Sequence, residues 1–451
     1  MYIPTIGLEV HAELKTRSKM FCGCKNDPHA AAPNTLICPI CLAHPGTLPV
    51  ANRDAIKSVL LFGVAVGGDL ATYSEFDRKN YFYPDIPKAY QLSQAAFPFI
   101  KGGELDGVKL TRVHLEEDTA RSQHDKGENS LVDFNRAGVP LMELVTEPVI
   151  HDAVTAGDFA RELQLLLRTL GISDANMERG EMRVEANISV SNSGQLGTKV
   201  EVKNLNSFKS VEAAINFEIN RQVGALEKGT SLHQETRGWD EVKQETYVQR
   251  SKETAKDYRY FPDPDLPKLQ LGEIELFSTS RLVDIMPELP AVKRFKYSNL
   301  GLTDKLIQVI LQDNFLTNWV DRLAVKITEP GTFTMAVNYL ITDLSPQFTV
   351  REVDEDQLSV EHLTDLIKLV EAKKVTSRVA KDLLIEFANN DSDLVKVATD
   401  RALLSALSEA DLLVLIRTVI TDQPAMVAEY RHGKVALLQF FLGQVMKQTR
   451  G

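Results

Sequence analysis

The segment Ile6-Gly7-Leu8-Glu9-Val10-His11-Ala12-Glu13-Leu14 alternates apolar and polar residues after Gly7. Side chains on a β-strand point to opposite faces with a period of two. A strand here sends Ile6, Leu8, Val10, Ala12 and Leu14 to one face and Glu9, His11 and Glu13 to the other. Two carboxylates and an imidazole on one face can hold a divalent metal or line an acid–base site. A sheet face that is merely wetted carries the same pattern.

At 451 residues the chain is too long for one core and predicts two or three domains. No apolar run reaches the length of a membrane span. Met1-Tyr2-Ile3-Pro4 lacks the basic and apolar regions of a secretory leader, so the expected location is cytoplasmic. The net charge of −11 argues against a broad basic nucleic-acid face, while leaving room for a local basic groove.

All four cysteines fall in one short stretch, as Cys22-Gly23-Cys24 and Cys38-Pro39-Ile40-Cys41. In a large cytoplasmic chain this spacing reads as a zinc knuckle rather than disulfides. Four thiolates leave zinc no open position, so the metal would be a structural clip. Reduced, unliganded thiols are the other reading.

Residues 1 to about 290 read mostly as strands and loops. Alternation recurs at Met182–Val190 and Lys199–Lys203. One helix stands out, from about Ala153 to Leu170, with Asp152 to cap it and Gly171 to end it. Beyond Met286-Pro287-Glu288-Leu289-Pro290 the pattern becomes helical, with expected helices at about 303–327, 332–342, 360–374, 377–389, 408–421 and 434–448. The acidic stretch 350–358 and Pro330-Gly331 punctuate them. A docking or recognition module is the reading for this half.

Three further segments place charge on one strand face. Arg112, His114 and Glu116 share a face, with Glu117 on the opposite one unless the strand ends or bulges there. Arg183, Glu185, Asn187 and Ser189 share another, and Lys199, Glu201 and Lys203 a third. One such face is a wet sheet; several together fit a concave surface that binds Mg²⁺ and phosphate. No Walker A or G-x-G-x-x-G motif is present. The segments Phe76–Asp85 and Asp257–Asp265 mix aromatics with Arg and Lys, which suits stacking on an RNA end or packing within a loop.

At these segments the chain resembles the B subunits of the aspartyl/glutamyl-tRNA amidotransferases. The motifs are IGLEVHAELKT, FDRKNYFYPDIPKAYQLSQ, RVHLEED, RVEANIS, KNLNSF, QETR and DYRYFPDPDLP, in the family's order, with HGKVALLQFFLGQVMK near the end. The resemblance implies an α+β fold: a mostly antiparallel-sheet cradle of glutamine-synthetase-like type over 1–292, a helical domain over 293–405 and a helical tail over 406–451. It implies that mischarged Glu-tRNA(Gln) or Asp-tRNA(Asn) is activated with ATP and Mg²⁺ by phosphorylation of the amino acid's side-chain carboxylate. Ammonia released from glutamine by the partner glutaminase, the amidotransferase's A subunit, then displaces the phosphate. The C subunit fastens the two.

Motif matching assigns catalysis to Glu9, His11, Glu116, Glu117 and Glu185. Magnesium goes to Glu9, His11 and Glu117, and phosphate to Lys79, Arg183 and Lys203. Zinc goes to Cys22, Cys24, Cys38 and Cys41, although only part of the family has this knuckle. Asp118-Thr119-Ala120-Arg121 stands where the family often reads Asp-Ala-Gly-Lys, and Glu185 where Asp is common. Family members usually add a helix after Lys447, as a shortened tail would explain. The rival reading is a non-catalytic tRNA-binding scaffold with a structural zinc.

Overall fold

A computed structural model describes residues 2–29, 32–123, 129–251, 258–350, 358–389, 392–404 and 409–449. Asp257, Ser408 and residues 351–357, all within segments singled out above, lie outside these ranges. The chain divides into two compact units, Met1–Pro290 and Ala291–Gly451.

The first unit is built on a sheet whose centre is the opening strand, Ile3–Glu13. That strand runs antiparallel to Met182–Ser191 on one side and to Pro140–Thr146 on the other. Val108–Glu117 follows Pro140–Thr146, and Val200–Leu205 follows Met182–Ser191, again antiparallel. Among the described residues, the one parallel pair joins Val200–Leu205 to Glu235–Asp240. The α+β expectation therefore holds, with sheet first and helices after.

Alternation fixes which face is dry. Ile6, Leu8, Val10 and Ala12 are buried beside Val184, Ala186, Ile188, Met142 and Leu144. Two helices cover this face. Ala153–Thr169 starts where Asp152 accepts a hydrogen bond from the Thr155 amide, and it buries Phe159, Leu163, Leu166 and Leu167. Phe208–Glu227 starts at Ser207, which caps the Ser210 amide. Gly171 follows the first helix at φ +67°, the left-handed turn that favours glycine.

A third helix, Arg53–Ala65, was not singled out by pattern. Asn52 caps it through the Asp54 and Ala55 amides. Its run Val59-Leu60-Leu61-Phe62-Gly63-Val64 has no polar interruption, so the helical period is invisible there.

Every described element of the second unit is a helix. The helix expected over 303–327 is two, Asp304–Leu311 and Asn314–Lys326. The break falls at Asp313, whose carboxylate accepts from the Phe315 and Leu316 amides and so starts a new helix. Helices Pro330–Tyr339, Val360–Glu371 and Ser377–Phe387 complete a core around Trp319, Phe333 and Phe387. The last helices are Glu409–Thr421, Pro424–Arg431 and Leu437–Thr449. Among the described residues from 410 to 448, only Val419 is buried.

Candidate active site

The polar face of the sheet carries one continuous row of charge. In register across four strands stand Arg183, His11, Glu143 and His114. Glu9 lies directly opposite Glu185 in the neighbouring row. Strand register thus converts four distant segments into one cluster.

Glu143 is its centre. One of its oxygens sits 3.2 Å from His11 Nε2 and 3.3 Å from His114 Nε2. Glu116 and Glu9 approach His11 Nε2 at 3.8 and 3.9 Å. Glu116 is oriented by Gln91, whose side-chain amide donates to it at 2.8 Å. Burial opposes charge on His11, but the hydrogen bond and charge of Glu143, with Glu116, push its pKa up to about 9. Burial likewise opposes ionisation of Glu143, yet the two histidines hold it well below the usual carboxylate range. Glu9 is raised by burial and by the charge of Glu143.

Two overlapping sets of donors result: Glu9, His11 and Glu143, and His114, Glu116 and Glu143. The donor atoms of each set lie within 4.8 Å of one another. Glu116 Oε2 is buried without a hydrogen-bond partner. A buried carboxylate oxygen left unsatisfied among other carboxylates suits a hard divalent cation, so the residues fit magnesium.

Glu117 lies apart from both sets. It follows the apolar parity of Val113 and Leu115, where the strand ends, and pairs with Lys88 and the Leu92 amide. Its neighbour Asp118 accepts a 3.0 Å hydrogen bond from Arg183. The two arginines Arg183 and Arg136 hold Asp118 down to about 2 against its burial. Glu185 is bound to Lys203 at 2.6 Å, and Glu201 is 3.6 Å from the same ammonium.

Lys79 differs from the other two expected phosphate ligands. Among the described residues its nearest carboxylate oxygen, on Glu116, is 3.9 Å away, and its ammonium lies 5.4 Å from the centre of the Tyr258 ring. Burial works against its charge, but Glu116, Tyr260 and Glu143 raise its pKa. The two aromatic segments meet here: Asp77–Asn80 pairs with Phe261–Pro262, and Tyr81 and Tyr258 touch edge to face at 5.8 Å.

Glu143 and His114 were not among the expected site residues. The only local signal for Glu143 is a lone carboxylate within Pro140-Leu141-Met142-Glu143-Leu144-Val145. His114 shares the face of Arg112 and Glu116, as alternation predicts, but nothing local aims it at Glu143.

Beside the sheet, Cys22, Cys24, Cys38 and Cys41 converge, with their sulfurs within 4.8 Å of one another. No disulfide joins them. The Cys38 amide donates to Cys41 Sγ at 3.1 Å. The Cys22 hydrogen bond, against burial, pulls the Cys41 thiol down to about 5, helped by Cys38 and by Lys19. Burial pushes Cys24 up to about 11. Four converging sulfurs of which one is poised as thiolate fit a tetrahedral zinc.

The sequence pattern of the GatB/GatE catalytic domain matches residues 4–276, and that of the GatB domain matches 324–451. The B subunit of the aspartyl/glutamyl-tRNA(Asn/Gln) amidotransferase of Thermus thermophilus is 43% identical over all of this chain and 96% of its own length. The protein of the same name from Crocosphaera subtropica is 39% identical over all of this chain and 94% of its own length. The chloroplastic/mitochondrial glutamyl-tRNA(Gln) amidotransferase B subunit of Oryza sativa is 37% identical over 99% of the chain and 84% of its own length. Matched along both units, with the catalytic domain spanning the charged sheet face, the chain belongs to the family of tRNA-dependent amidotransferase B subunits.

Proposed function

We propose that the charged sheet face activates the side-chain carboxylate of mischarged Glu-tRNA(Gln) or Asp-tRNA(Asn). The observation that carries this reading is the cluster of Glu9, His11, His114, Glu116 and Glu143, buried at its centre and partly exposed at Glu9, with Lys79 beside it and, among the described residues, bound to no carboxylate at hydrogen-bond distance. A carboxylate is a poor electrophile, and converting it to an acyl phosphate supplies a leaving group. One carboxylate oxygen attacks the γ-phosphorus of ATP and ADP departs. Ammonia then attacks the acyl carbon and expels phosphate, leaving the amide.

Such chemistry needs positioning and charge neutralisation rather than a protein nucleophile. Glu9, His11, Glu116 and Glu143 would hold magnesium, which when bound neutralises phosphate oxygens. Glu117 would take part only after release from Lys88. Lys79 would meet a phosphate directly, while Arg183 and Lys203 would first exchange Asp118 and Glu185 for it. Cys22, Cys24, Cys38 and Cys41 would hold zinc as a clip. In this reading the cradle, 1–292, does the chemistry, and the helices of 293–405 with the tail 406–451 hold the tRNA body. Ammonia comes from the partner glutaminase, the A subunit, which the C subunit fastens to this chain. No helix among the described residues is long and apolar enough to cross a membrane, which suits a cytoplasmic place beside the translation machinery.

The test is ATP turnover by the chain assembled with its A and C partners. ADP release that requires mischarged tRNA supports catalysis on this face. Tight tRNA binding with no tRNA-dependent ADP release would make the chain a scaffold.

A further inference from the structure

A buried cation with no carboxylate partner backs the cysteine cluster. Lys19 is fully buried. Its ammonium donates to the Phe134 carbonyl at 3.2 Å and lies 3.8 Å from Cys41 Sγ. Among the described residues it makes no ion pair with a carboxylate. A carbonyl alone does not repay the desolvation of an ammonium. Of these two partners, only the Cys41 sulfur can carry negative charge.

The backbone around Lys19 leads to the sheet face. Its own amide donates to the Cys24 carbonyl at 3.0 Å, and the Met20 amide to the Gly138 carbonyl at 2.7 Å. Gly138 in turn donates to the Asp118 carbonyl at 2.9 Å. Cys41, Gly138, Asp118, Glu117 and Lys88 line one small cleft. The turn 134–139 is therefore held by Lys19 on one side and by Asp118 on the other.

We propose that Lys19 is the charge partner of the four-cysteine centre and couples its occupancy by a divalent metal to the turn that walls the Glu117–Lys88 cleft. The inference rests on the metal-binding reading of that centre. Four thiolates around a divalent ion leave net negative charge in a partly buried site. The Lys19 ammonium offsets that charge at Cys41 and ties the metal to the Phe134 carbonyl. Loss of the metal leaves Lys19 buried against a weaker anion, and the turn loosens.

The experiment is zinc and cobalt(II) binding by the full-length chain, in competition with a chromogenic chelator. Lys19→Gln is compared with the parent, because it keeps an N–H donor for Phe134 and removes the charge. The expected result is a cobalt spectrum with thiolate charge-transfer bands in both proteins and metal affinity about 10–100-fold weaker in Lys19→Gln. Equal affinity would reduce Lys19 to a tether and overturn the proposal. A parent chain that binds neither metal would instead remove the metal reading itself. Should Lys19→Gln fail to fold, hydrogen exchange in the parent decides. Chelation of zinc is expected to speed exchange of the Met20 and Gly138 amides, and unchanged protection there would overturn the coupling.

Discussion

Glu143 shows how one side chain organises the site. It is bracketed by His11 and His114, and Arg112 lies 3.8 Å from its other oxygen. Glu143→Gln removes the charge both imidazoles face. We expect a chain that still unfolds cooperatively and amidation slowed by about 10²-fold or more, the loss seen when one preorganised electrostatic group is deleted. Near-normal rates in the assembled enzyme would take Glu143 out of the site. Glu13 offers a prediction independent of activity. Burial, with the charge of Asp118, pushes its carboxyl from an ordinary 4.5 up to about 8. The folded chain thus holds a proton there that the unfolded chain has lost. The stabilisation is complete below pH 4.5 and disappears as pH rises through 8. Thermal unfolding between pH 5.5 and 9 should show the parent losing on the order of 2 kcal/mol more than Glu13→Gln. Parallel curves would mean Glu13 is not held protonated.

At the scale of elements, four strands of the sheet were legible, and the strand Pro140–Thr146 and the strands' meeting points were not. Alternation in Ile6–Leu14 predicts both faces of the opening strand, and Asp152 and Gly171 bound the helix Ala153–Thr169. Glu9, His11 and Glu116 converge because each sits on a polar strand face. Glu143 could not be found this way, because its role comes from non-local register: Glu143 opposite His11 on one side and His114 on the other. Glu117 shows the converse. Neighbours in sequence, Glu116 and Glu117 point to opposite sides of the sheet and meet different partners. Caps decide where helices begin, and the one at Asp313 falls inside a stretch whose apolar period runs on through it. Asn52→Ala should destabilise the first unit by about 1 kcal/mol, read from chemical denaturation, because two amides lose their acceptor. The cysteine knuckle should carry near-stoichiometric zinc in anaerobically prepared protein and lose it when Cys38 and Cys41 are both serine. Elemental analysis without zinc would leave the cluster as four thiols.

The whole molecule combines a sheet unit that gathers Glu9, His11, His114, Glu116 and Glu143 on one face with a helical unit whose described residues hold few clustered polar groups. This division suits an enzyme that acts on a small reacting group at the end of a large carrier. The net charge of −11 means that a polyanionic carrier must be met by local cations rather than by the molecule's overall field. On the proposed function, a carboxylate oxygen of the attached amino acid is phosphorylated on the sheet face. This step is tested most directly by isotope transfer. Mischarged tRNA bearing glutamate or aspartate with both side-chain carboxylate oxygens replaced by oxygen-18 is given to the assembled enzyme with ATP, Mg²⁺ and glutamine. Phosphorylation of that oxygen places one heavy oxygen in the inorganic phosphate released for each amide formed and keeps the other in the amide. Amide formation with unlabelled phosphate would contradict it.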